Sequence, residues 1–132
     1  MKIDHLGIAV KAVADAAKMY EQVLGLKVSS MDQVDDQGVR VAMLDIGESR
    51  FELLEATRPD SPIGKFVAKR GEGLHHVAVQ VEDIEGALAQ LKASGVRLID
   101  EAPRKGAHNT RVAFIHPAGT HGVLLELVEH AK

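Results

Sequence analysis

His5-Leu6-Gly7-Ile8-Ala9-Val10 and His76-Val77-Ala78-Val79-Gln80-Val81 are one pattern written twice, 71 positions apart. The same shift lays Val13, Ala16, Ala17 and Tyr20 over Ile84, Ala87, Leu88 and Leu91. It also lays Arg40-Val41-Ala42-Met43-Leu44 over Arg111-Val112-Ala113-Phe114-Ile115. Near the end of each half the shift grows to 74, and Phe51-Glu52-Leu53-Leu54-Glu55 falls on Leu125-Glu126-Leu127-Val128-Glu129. The added residues lie in the turn-rich segment His116-Pro117-Ala118-Gly119-Thr120-His121-Gly122. Polar identities at His5/His76, Arg40/Arg111 and Glu52/Glu126 mark an internal repeat, which must be recognised before elements are assigned.

Each half reads as strand, helix, strand, strand, strand. Residues 2–10 and 74–81 are rich in branched aliphatic residues, as strands are. Positions 13, 16, 17, 20, 23 and 24, and then 84, 87, 88 and 91, are apolar at helical spacing. Gly25 and Gly95 stand where a helix end favours a left-handed residue. Shorter strands follow near 26–34, 38–46 and 49–56, and near 97–100, 109–116 and 122–129. The expectation is an α+β domain over 1–132, built of βαβββ modules at 1–58 and 72–132. The linker 59–71 holds Pro59, Pro62, Gly64 and Gly71, with a short helical turn at 62–69.

Composition narrows the function. The chain has 132 residues, enough for one compact unit. Lys and Arg number 16 against 19 Asp and Glu, a formal charge of −3. Such a chain exerts no overall pull on nucleic acid or on an anionic membrane. With no tryptophan, one tyrosine and three phenylalanines it offers no platform for stacking single-stranded bases. The absence of cysteine removes disulfides, zinc–thiolate sites and thiol nucleophiles, and suits a reducing compartment. No apolar run approaches the ~20 residues of a transmembrane helix, and Met1-Lys2-Ile3-Asp4-His5 lacks the apolar segment of a signal peptide. A soluble, intracellular protein acting on a small molecule is expected.

Strand periodicity says where the chemistry sits. Leu6, Ile8 and Val10 share one face of the first strand, and His5, Gly7 and Ala9 the other. In the second copy Val77, Val79 and Val81 oppose His76, Ala78 and Gln80. The aliphatic face suits a covering helix; the histidine face, lined by small residues, looks into open space. His75 points the other way. Glu52 and Glu126 lie in strands apolar on both faces, so both carboxylates are expected to be buried. A buried carboxylate without a partner costs several kcal/mol or neutralises. No lysine or arginine occupies the equivalent position on the histidine strands.

Either His–Glu pair alone reads more readily as a hydrogen-bonded core histidine and an exposed or lysine-paired strand glutamate than as metal ligands. Their recurrence in the same order on the same strands favours a metal instead. Two neutral imidazoles, two carboxylates and a divalent cation sum to zero charge. This donor set of His5, Glu52, His76 and Glu126 suits Co²⁺, Mn²⁺, Ni²⁺, Zn²⁺ or Fe²⁺ and leaves positions for water or substrate.

With these residues in view, the chain resembles the vicinal oxygen chelate superfamily, which includes glyoxalase I and the extradiol dioxygenases. Within it the methylmalonyl-CoA epimerase family is the most similar. The resemblance rests on Asp4-His5-Leu6-Gly7-Ile8-Ala9-Val10, Asp36-Gln37-Gly38-Val39, Phe51-Glu52-Leu53-Leu54-Glu55, Asp60-Ser61-Pro62-Ile63, Gly73-Leu74-His75-His76-Val77-Ala78 and Gly122-Val123-Leu124-Leu125-Glu126-Leu127. It implies a curved mixed sheet around a metal cleft, ligands at His5, Glu52, His76 and Glu126, a homodimer and a cytoplasmic setting. Some epimerases carry Gln at the Glu52 position, and the family often has Glu where this chain has Asp36.

The activity implied is interconversion of the (R) and (S) forms of methylmalonyl-CoA by removal and return of the α-proton. The expected cofactor is one divalent ion per chain, Co²⁺ first. Glu126 is the first candidate base. Glu52, by pseudo-symmetry, or Asp36, by its place in the family motif, is the second. Lys65, Lys69, Arg70, Arg104 and Lys105 are either holders of coenzyme A phosphates or solvated surface charges. His108, His116, His121 and His130 receive no chemical role. The alternatives are a glyoxalase-I-like lactoylglutathione lyase, an extradiol-type dioxygenase with two His and one Glu on iron, and a non-catalytic small-molecule binder.

Overall fold

A computed structural model describes residues 1–132. Its strands are β1 (Lys2–Ala9), β2 (Lys27–Val34), β3 (Val39–Ile46), β4 (Ser49–Ala56), β5 (Gly73–Gln80), β6 (Arg104–Lys105), β7 (Thr110–Ile115) and β8 (Leu125–His130). The α-helices are α1 (Val13–Leu24), α2 (Pro62–Arg70) and α3 (Ile84–Ala93). Short 3₁₀ turns occupy Asp35–Gln37 and Pro117–Gly119. No helix is long and apolar enough to cross a membrane. The chain resolves into two compact units, His5–His75 and Met1–Asp4 with His76–Lys132.

In the unit His5–His75 the strand order is β2-β3-β4-β1. β1 runs parallel to β4, while β3 is antiparallel to both β2 and β4. The parallel pair needs a long crossover, and α1 begins that connection. Val13 and Ala17 on its inner face pack on Val10, Ala42, Leu44 and Leu53. On the opposite face of the sheet Ala9, Val39 and Leu54 meet Ile63 of α2. Gly25 ends α1 at φ 71°, the left-handed cap that the sequence suggests. The Ser61 side chain accepts from the Gly64 N–H and caps α2, with Pro62 at the first helical position, where its missing N–H costs nothing. Segment 59–71 thus packs as part of this unit.

The unit formed by Met1–Asp4 and His76–Lys132 repeats the plan. The first residues of β1 lie beside β5, and the order continues β8-β7-β6. β5 is parallel to β8, and β7 is antiparallel to β8 and β6. Ile84 and Leu88 of α3 pack on Val81, Ala113, Ile115 and Leu127. Both are essentially inaccessible, each contributing about 1.5–3 kcal/mol of hydrophobic stabilisation.

The strand expected near 97–100 is the main local departure. Only Leu98 makes a bridge, to Ile115. The Ile99 and Asp100 N–H groups both donate to the Phe114 carbonyl, and the Asp100 carboxylate accepts from the Phe114 N–H at 2.8 Å. A side chain there takes the place of a ladder partner. Pro103 follows, and pairing resumes only at Arg104.

Candidate metal centre

Each unit carries one histidine–glutamate pair, built by the same local geometry. His5 stands two residues before Gly7, and Gly7 is in register with Glu52 on the parallel strand. His76 stands two residues before Ala78, and Ala78 is in register with Glu126. Period two puts each histidine on the same face as the residue opposite its glutamate. Small residues at 7 and 78 leave room for the neighbouring carboxylate. On its other side Glu52 is opposite Met43, and Glu126 is opposite Phe114. Each carboxylate is therefore flanked by one small and one large side chain.

The His5 Nε2 lies 3.6 Å from a Glu52 oxygen, and the His76 Nε2 lies 3.3 Å from a Glu126 oxygen. Both separations exceed a well-made hydrogen bond. With metal–ligand bonds of about 2.0–2.2 Å, adjacent donors on one cation stand roughly 3.0–3.6 Å apart. The paired donors therefore fit neighbouring positions of a coordination shell. Side-chain exposure is 7% for His5, 15% for Glu52, 5% for His76 and 10% for Glu126. Glu52 is thus less enclosed than its sequence context suggests, while the others are buried.

The imidazole of His76 meets the Phe114 ring edge-to-face, with centroids 5.6 Å apart. His75 turns the other way and packs edge-to-face on Phe66 at 4.9 Å, in agreement with strand alternation. Asp36 sits in the exposed 3₁₀ turn 35–37. Arg58 holds that turn by donating to the Asp35 carbonyl at 2.8 Å and the Asp36 carbonyl at 3.3 Å. Gly38 closes it at φ 63°, and a Cβ there would come within 2.9 Å of Ser61. The structure fixes the backbone of Asp36 and leaves its side chain exposed.

Lys65, Lys69 and Arg70 are exposed on α2, and Arg104 and Lys105 form the exposed β6. Two contacts escape the sequence reading. Phe114 and Met43 flank the carboxylates; the repeat had already laid one over the other, but without register nothing marked them. His130 has a partner: its Nε2 lies 2.5 Å from the carboxylate of Asp4, a buried residue next to His5. That contact joins residues 126 positions apart and has no local sequence signal.

A family profile described as the Glyoxalase/Bleomycin resistance protein/Dioxygenase superfamily matches residues 4–114. Protein YqjC of Bacillus subtilis is 43% identical, over 97% of this chain and 91% of its own. The ethylmalonyl-CoA/methylmalonyl-CoA epimerase of Cereibacter sphaeroides is 36% identical, over 96% of each chain. The methylmalonyl-CoA epimerase of Streptomyces coelicolor, solved in complex with 2-nitronate-propionyl-CoA, is 40% identical. It superposes with a TM-score of 0.92, over 99% of this chain and 95% of that one.

Proposed function

The chain belongs to the glyoxalase/bleomycin resistance protein/dioxygenase superfamily, and on that premise we propose that it is a metal-dependent methylmalonyl-CoA epimerase. The observation that carries the reading is the twice-built His–Glu pair, with donors 3.6 and 3.3 Å apart. It is supported by near full-length similarity to epimerases from two organisms. The lyase and non-catalytic readings draw no support from these relatives.

His5, Glu52, His76 and Glu126 hold one divalent cation, Co²⁺ ahead of Mn²⁺, Ni²⁺, Zn²⁺ and Fe²⁺. Each unit supplies one imidazole and one carboxylate to this donor set. When bound, the cation supplies Lewis-acid stabilisation of negative charge developing on the substrate's thioester oxygen. The neutral imidazoles donate lone pairs and leave the charge balance to the carboxylates. Glu126 takes the α-proton from one face of the substrate. Glu52, or Asp36 from its exposed turn, enters the step as the protonated acid, returns its proton to the other face and is left as the carboxylate. Glu126 is buried beside Ala78 and Phe114, which limits the access of water to its carboxylate. The substrate is an acyl-CoA, and the working protein is a single domain over 1–132, a homodimer of the cytoplasm.

Circular dichroism of enantiopure (S)-methylmalonyl-CoA mixed with metal-loaded protein tests the reading. Decay of the signal to that of an equal mixture of enantiomers is expected. A constant signal, with conversion of the methylglyoxal–glutathione hemithioacetal instead, would replace the epimerase by the lyase.

A further inference from the structure

The guanidinium of Arg104 lies over the Phe114 ring, 5.6 Å from its centroid. The same ring makes the edge-to-face contact with His76 and stands in register with Glu126. Arg104 is tethered on one side only: its Nε makes a long charged contact with Asp100 at 3.4 Å, four residues back. Asp100 is in turn fixed by the Phe114 N–H at 2.8 Å. Nη1 and Nη2 make no hydrogen bond within the protein, on a side chain 47% exposed. An exposed arginine normally loses entropy when a ligand immobilises it. Here the ring and the Asp100 carboxylate hold the planar fork in place beforehand. A pre-oriented fork with unused donors is suited to an oxyanion.

We propose that Arg104, seated on Phe114, is a binding residue for an anionic group of the acyl-CoA substrate. The inference rests on the epimerase reading and adds to it a named contact outside the metal ligands. Phe114 then joins the two sites: one ring borders the His76–Glu126 pair and supports the anion-holding fork. Two parts of the substrate carry the required chemistry, the acyl carboxylate and the coenzyme A phosphates.

Calorimetric binding to wild type, Arg104→Ala and Arg104→Lys separates the cases. The probes are methylmalonyl-CoA, coenzyme A and methylmalonyl-pantetheine, which keeps the carboxylate and lacks the nucleotide phosphates. Losing a charged hydrogen-bond donor should weaken methylmalonyl-CoA binding about 10- to 100-fold in Arg104→Ala. Arg104→Lys should recover only part of this, because it restores charge without the fork. If a phosphate is held, coenzyme A weakens equally and the pantetheine ester does not; if the carboxylate is held, the pattern reverses. Equal affinities of wild type and Arg104→Ala for all three probes, with unchanged melting temperature, would overturn the proposal and leave the epimerase reading standing. Failure of wild type to bind any probe would overturn both.

Discussion

Glu55 accepts a hydrogen bond at 2.7 Å from the backbone N–H of Val13, the first residue of α1. Ala12, at the N-cap, has no side chain able to do this. Arg40 holds the same carboxylate at 2.9 Å. The second unit repeats the device: Glu129 accepts from the Ile84 N–H at 2.9 Å, and Arg111 pairs with Glu129 at 2.9 Å. In each copy the final long strand thus caps the helix that precedes it in the fold, and the repeated arginine is the cap's counter-ion.

The two caps should differ in cost. α3 keeps a second cap, since Asp83 accepts from the Gly86 N–H at 3.1 Å. α1 has none. Glu55→Ala should therefore cost about 1–2 kcal/mol in denaturant unfolding, near the upper end for a lost N-cap. Glu129→Ala should cost visibly less. Equal losses would mean the contacts are incidental.

The pH dependence follows from Glu129. Its carboxyl is held below the ordinary value of 4.5, first by the Ile84 N–H and then by Arg111. A depressed acid contributes stability that is present above its unfolded value and lost as pH falls through its folded value. Glu129→Gln should thus lower the melting temperature by a few degrees at pH 7. The gap from wild type should narrow steadily below about pH 4.5. A gap independent of pH would assign the effect to shape instead of charge.

Metal and stability should be linked. A ligand that binds only the native state stabilises by about 2.7 kcal/mol at a hundredfold excess over Kd. Chelation should lower the melting temperature, and Co²⁺ or Mn²⁺ should restore it. The same melting temperature in metal-free and metal-loaded protein would count against the four-residue site.

Ligands and bases should separate by substitution. Glu126→Gln keeps an oxygen donor but loses charge and basicity. It should bind metal more weakly and, when saturated, lose epimerisation by a factor on the order of 10² to 10⁴. Glu52→Gln should retain more activity. His5→Ala and His76→Ala should lose metal first, measured by elemental analysis, and activity as a consequence. Full turnover by metal-saturated Glu126→Gln would move the base to Glu52 or Asp36.

Much of this was legible because the chain repeats. The shift of 71 positions placed His5 on His76 and Arg40 on Arg111, and the shift of 74 placed Glu52 on Glu126, so the fold plan and the two histidine–glutamate pairs came from one self-comparison. Alternation then separated His76 from His75, which the structure packs against Phe66. What escaped depends on contacts between distant segments. Asp4 and His130 meet across 126 positions. Phe114 became visible as a wall of the carboxylate only through its register with Glu126. Residues 97–100 looked like a strand because Leu98 and Ile99 are apolar, yet the Asp100 side chain occupies the Phe114 N–H that a neighbouring backbone would need.

The central claim is abstraction of the α-proton, and exchange in heavy water measures it without relying on the product's chirality. Methylmalonyl-CoA in D₂O is followed by proton NMR with metal-loaded protein, metal-free protein and metal-saturated Glu126→Gln. Rapid loss of the α-proton signal with the first alone is the result predicted. Loss no faster than in protein-free buffer, from wild type with its metal verified as bound, would contradict the account.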